Sequence, residues 1–113
     1  MPDGPLTIQP SDGPAPGQRT WRLSGPLTLA NLFDFQRQLR SESSSILILD
    51  FTEVPYVDSA GIGALVGSYV SRKGKGQVLA LVGVSKRVHE ALRVTQVEQL
   101  FTFYDSIAAA AQA

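Results

Sequence analysis

The chain has 113 residues, 43% of them hydrophobic, with ten Lys and Arg balanced by ten Asp and Glu, a single His and no Cys. This length predicts one domain over residues 1–113 with no room for a second, and it suffices for an ordinary core without metal or disulfide support. The missing cysteines exclude disulfides, thiolate metal sites and cysteine nucleophiles together, and they fit a reducing compartment.

Leu6-Thr-Ile8 alternates apolar and polar, and Arg19-Thr-Trp21-Arg-Leu23-Ser does so again, which predicts two antiparallel strands. Between them Pro10, Gly13, Pro14, Pro16 and Gly17 predict a flexible loop over 10–18. After the turn at Gly25-Pro26, Thr28 is placed to cap a first helix whose apolar positions are Leu29, Leu32, Phe33 and Leu39, ending near Ser43-Ser44-Ser45. The unbroken run Ile46-Leu-Ile-Leu49 predicts a central strand covered on both faces.

Ile62, Leu65, Val66, Tyr69 and Val70 recur at i, i+3, i+4, i+7 and i+8, so a second helix should begin near Asp58-Ser59 and stop at Gly74-Lys-Gly76. Gln77 to Val82 predicts another buried strand, and Ser85 a cap for a short helix with Val88, Ala91 and Leu92 inward. Leu100 to Tyr104 predicts the last strand, and Asp105-Ser106 caps an alanine-rich terminal helix over about 105–113. The order β-β-α-β-α-β-α-β-α predicts an α/β fold: a mixed, mostly parallel sheet with helical crossovers and an antiparallel first strand.

The most apolar stretch, residues 60–70, is far short of the ~20 residues of a bilayer span, and Met1-Pro-Asp-Gly-Pro has no features of a secretory signal, so a soluble cytoplasmic protein is expected. Charge is uneven along the chain. Residues 1–60 hold 4 basic and 7 acidic groups (net −3), and residues 61–113 hold 6 and 3 (net +3). The later basic groups, Arg72, Lys73, Lys75, Lys86, Arg87 and Arg93, have no interleaved aromatics on which bases would stack, so no nucleic acid partner is expected.

The chemistry of interest lies where the central strand passes through a short loop into the second helix, at Val57-Asp58-Ser59-Ala60-Gly61-Ile62-Gly63. Ligand sites of open α/β sheets occupy such carboxyl ends of strands. Asp58 or Ser59 caps the helix, the first turn presents Ser59 outward, and the backbone of Gly61 and Gly63 is expected to be open to close approach by a partner, beside an exposed Ile62. Dinucleotide binding fails because Val66 stands where a third small residue is needed and Val82-Gly83 replaces the acidic strand end, while no Gly-Lys-Ser or Gly-Lys-Thr is present for a phosphate loop. His89 has no second His or Cys for a metal and reads as a surface residue. Asp50, Glu53 and Asp58 suit Mg2+ if they converge, though capping and loop hydrogen bonds are their expected use. No catalytic set or cofactor site emerges.

The run Val57 to Leu65, preceded by strand 46–51 and followed by Val78-Leu-Ala-Leu-Val-Gly and by Val88-x-x-x-Leu92, resembles the STAS domain of bacterial anti-sigma-factor antagonists, from Trp21 to the terminal helix. The resemblance implies a non-enzymatic, partner-switching protein. The unphosphorylated domain would bind an anti-sigma factor with a GHKL-type serine kinase fold, the kinase would phosphorylate Ser59, and a phosphoserine phosphatase would reverse this. Thr28, Asp58, Ser59, Ala60, Gly61, Ile62, Gly63 and Val66 are then the expected partner-binding residues. Two departures stand out: Gly25-Pro26-Leu27-Thr28 replaces the family's Gly-Glu-Leu-Asp, and Thr95-Gln96 occupies the place of a common glycine. The alternatives are a STAS subunit of a membrane transport ATPase complex and a receiver-like domain phosphorylated on Asp50.

Overall fold

A computed structural model describes residues 5–113; Met1 to Gly4, where no secretory signal is expected, lie outside the described residues. The elements are β1 (Thr7–Asp12), β2 (Gln18–Ser24), α1 (Leu32–Arg40), β3 (Ile46–Glu53), α2 (Ser59–Gly74), β4 (Val78–Val82), α3 (Lys86–Val94), a 3-10 turn (Glu98–Leu100), β5 (Thr102–Tyr104) and α4 (Ile107–Ala110). The strands form one sheet in the order β1-β2-β3-β4-β5, the first pair antiparallel and the rest parallel. This is the α/β architecture that the element order predicts.

Because each parallel strand is laid down beside its predecessor, three right-handed crossovers send α1, α2 and α3 to the same face. The side chains follow suit. Leu47, Leu49 and Phe51 of β3 and Leu79 and Leu81 of β4 join Phe35, Leu65, Val88 and Leu92 in the main core. Their strand neighbours Ile48, Ala80 and Val82 point to the opposite face, where Ala110 and Ile107 of α4 cover them. A strand with layers on both sides has no polar face, which is why β3 and β4 read as continuous apolar runs.

The terminal helix is the single turn Ile107–Ala110 and not the expected span of about 105–113, and three further features depart from expectation. β1 runs through Pro10, paired with Trp21, to Asp12, so the loop shrinks to 13–17; an edge strand has one row of amides outside the ladder and accommodates a proline. Helix α1 starts at Leu32, not at Thr28, whose buried hydroxyl has no hydrogen-bond partner. Instead Asn31 closes a turn: its Oδ1 accepts from the Thr28 amide at 2.8 Å and its Nδ2 donates to the Pro26 carbonyl at 2.7 Å. Within the helix Leu32 and Phe35, at i and i+3, are buried, while Phe33 and, ahead of the helix, Leu29 are 62% and 61% exposed.

The third is Arg72, read as part of a basic surface but only 4% exposed. Its Nε donates to the Val78 carbonyl at 3.1 Å and its Nη2 to the Ser44 carbonyl at 2.7 Å, clamping the starts of β3 and β4 to the end of α2. Burial lowers the pKa of the guanidinium from its ordinary value, and Glu42 acts in the opposite direction.

Candidate functional site

Asp58 organises the site. One carboxylate oxygen accepts from the Gly61 amide at 2.8 Å, capping α2, and the other accepts from the Leu29 amide at 3.0 Å. The N-cap therefore also fixes the segment that leads into α1. The Leu27 amide donates to the Tyr56 carbonyl and the Asp58 amide to the Leu27 carbonyl, both at 3.2 Å, so the β2–α1 and β3–α2 connections lie side by side beyond the sheet. Arg87 of α3 lies over the Tyr56 ring, 4.8 Å from its centroid, and ties a third element to this end.

Ser59 is the first residue of α2 and is exposed, as the sequence predicts. The next residues divide. Ala60 and Val66 are half-buried, Gly63 is exposed, and a Cβ on Gly63 would meet nothing within 4 Å. Gly61 and Ile62 do not form the open, outward turn expected of them. A Cβ on Gly61 would lie 2.1 Å from the Leu27 carbonyl oxygen, and Ile62 is 8% exposed within the main core. The physical reason is the helical phase: Ser59 and Gly63 are four residues apart on the outer face, which leaves Gly61, Ile62 and Leu65 facing inward. Thr28 is buried as well, so its hydroxyl offers no outer contact.

What sequence reasoning missed is apolar and lies next door. Leu29, just ahead of α1, and Phe33, in its first turn, are exposed, and Thr28, Leu29, Ala30, Tyr56 and Asp58 line a shallow hollow of about 420 Å³ beside the Ser59 turn. A signal was present, since the spacing of Leu29 and Phe33 marks one helix face, but spacing alone does not say which face turns to the sheet.

The three acids of this end have separate duties. Asp58 caps α2, Glu53 accepts from the Ser24 hydroxyl at 3.1 Å and pairs with Arg22, and Asp50 accepts from the Thr52 amide at 2.9 Å and from its hydroxyl. No cluster able to hold a metal ion forms among the described residues, so nothing supports Mg2+-assisted phosphorylation of Asp50. His89, expected to be an ordinary surface residue, is half-buried: it pairs with Glu98 and packs on Phe103, with ring centroids 4.5 Å apart.

Residues 15–110 match the family model of the STAS domain. The chain belongs to the STAS family. An anti-sigma-B factor antagonist of Listeria monocytogenes is 38% identical over 50 residues, 44% of either chain. The match thus spans less than half the length of that curated relative. Among solved structures, an anti-sigma factor antagonist from Mycobacterium paratuberculosis superposes with a TM-score of 0.83 at 19% identity, covering 99% of this chain and 95% of that one. The murine anion transporter Solute Carrier 26 family member A9 gives 0.76 at 24% identity, covering 85% of this chain and 17% of that one. The STAS fold thus serves both as a small free-standing protein and as one part of a large transporter. No helix among the described residues is long and apolar enough to cross a membrane.

Proposed function

We propose that this STAS protein is an anti-sigma-factor antagonist controlled by phosphorylation of Ser59. The observation that carries the reading is the position of Ser59: exposed, first in α2 and directly after the Asp58 cap, which also holds the amide of the exposed Leu29. The curated relative named an antagonist and the family membership support it. In this reading the partner is an anti-sigma factor with a GHKL-type serine kinase fold, which docks over Ser59, Gly63 and the Leu29/Phe33 shoulder and transfers phosphate to Ser59. A phosphoserine phosphatase resets the switch. Thr28 lacks the carboxylate the resemblance associates with kinase docking, so the exposed apolar pair takes over that part of the contact.

The mechanism follows from the helix end. A phosphate of charge about −1.5 to −2 at a helix N-terminus is favoured by the helix dipole, so the fold tolerates it. The complex does not, because the dianion must be desolvated against a surface shaped for a hydroxyl. A thousandfold loss of affinity requires only about 4 kcal/mol.

The test incubates wild type, Ser59→Ala and Ser59→Asp with the cognate kinase and ATP, and follows phosphate incorporation, complex formation and melting temperature. Ser59→Ala should bind and resist phosphorylation, whereas Ser59→Asp should bind weakly with a nearly unchanged melting temperature. Phe33→Asp should weaken binding without loss of stability. Phosphate on Ser59→Ala, or a complex indifferent to modification at Ser59, would overturn the reading and favour a subunit of a transport ATPase complex.

A further inference from the structure

A groove of about 370 Å³ runs between α1 and α2, away from Ser59, lined among others by Leu39, Arg40, Ala64, Gly67, Arg72 and Lys75. Its volume is within the range of small-molecule sites. Leu39 and Ala64 give it an apolar wall, and no side chain fills it at Gly67, where a Cβ would meet nothing within 4 Å.

Its charge is unbalanced. Arg72 is 96% buried by its 4% exposure, it spends Nε and Nη2 on backbone carbonyls, and its Nη1 has no hydrogen-bond partner. Carbonyl oxygens satisfy donors but neutralise no charge. Arg40 and Lys75 form no ion pair among the described residues. The acid of the groove, Glu42, is shared: it accepts from Trp21 Nε1 at 2.9 Å and from the Ser44 amide at 3.3 Å, Arg19 stands 3.8 Å away, and it also acts on Arg72. Three cations thus face one occupied carboxylate around an open, partly apolar cavity. Burial disfavours the charged Arg72 guanidinium more than Glu42 favours it, and an anion in the groove offsets the remainder.

We propose that the α1–α2 groove binds a small organic anion, its phosphate or carboxylate head held by the exposed Arg40 and Lys75 in the field of the buried Arg72, and its apolar body resting on Leu39 and Ala64. The site is separate from the Ser59 surface and does not depend on the function assigned to that surface.

The experiment titrates the isotopically labelled full chain with phenyl phosphate, benzoate and phenol, following amide resonances by NMR. At least one of the two anions should give saturable shifts at Gly67, Ser71 and Arg72, and the stronger one identifies the head group; phenol should give none. Arg40→Glu combined with Lys75→Glu should keep the melting temperature and weaken binding at least about tenfold. Gly67→Leu, which fills the groove on a helix that favours the change, should abolish binding and serves if the charge reversal impairs folding. The absence of saturable shifts at these amides up to about 10 mM ligand, an affinity too weak to count as a site, would overturn the proposal. So would equal shifts with phenol, or binding that survives both variants.

Discussion

Gly61 lies so close to Leu27 that a Cβ on the glycine would stand 2.1 Å from the leucine carbonyl oxygen. The same carbonyl accepts from the Asp58 amide. One backbone atom of the β2–α1 connection therefore both anchors the entry to α2 and forbids a side chain on its third residue. Gly63, half a turn on, meets nothing. Gly61→Ala should destabilise the fold by about 1–3 kcal/mol through overpacking. Gly63→Ala should stabilise it by up to about 1 kcal/mol through helix propensity. Chemical denaturation of the two variants separates the roles, and equal effects would show that the close approach does not constrain the fold.

Ile62 tests the orientation of the same turn. Buried in the main core, it should not tolerate a charge: Ile62→Glu should cost at least about 3 kcal/mol, the sum of lost apolar burial and an unpaired buried carboxylate. A wild-type melting temperature for this variant would place the side chain outside.

Gln96 is the non-glycine residue with positive φ among the described residues, at 63°. It closes α3 as Gly76 closes α2. In each case the left-handed residue donates to the carbonyl three residues back, and the next residue donates to the carbonyl five back, Val97 to Leu92 and Gln77 to Arg72. A side chain in this conformation costs roughly 1–2 kcal/mol that glycine avoids. Gln96→Gly should accordingly raise stability by about 1 kcal/mol, read as a higher denaturation midpoint, while Gly76→Gln should lower it.

The Arg22 hydrogen bond, followed by that of Ser24, holds the Glu53 carboxyl below its ordinary value of 4.5. A carboxylate whose pKa is lower folded than unfolded contributes stability that is complete above the ordinary value and is lost as pH falls through the lowered one. Glu53→Gln should remove this part of the acid dependence. Its denaturation midpoint should therefore fall less steeply than that of the wild type between about pH 4.5 and the acid limb. Parallel curves would show that the pair has no bearing on stability.

Much of this protein was legible in its residues one at a time. Ile46 to Leu49 and Val78 to Val82 are apolar without alternation because both faces of the sheet centre are covered, a condition that leaves its mark on every position. Asp58, followed three residues later by the amide it caps, announces the start of α2 and makes Ser59 an outward first residue, since capping is a local hydrogen bond. The orientation of the helices was not local. Whether Phe33 or Leu32 and Phe35 enter the core depends on how α1 lies against the rest of the core, and Asn31 fixes the segment leading into it through hydrogen bonds to Pro26 and Thr28. Ile62 turns inward because α2 packs into the main core against β4 and α1, and Arg72 because two carbonyls distant in sequence, Ser44 and Val78, meet at its guanidinium. Periodicity fixes that a helix has an apolar stripe. Only the packed sheet decides where that stripe lies, because burial is shared among residues that are neighbours in space and not in sequence.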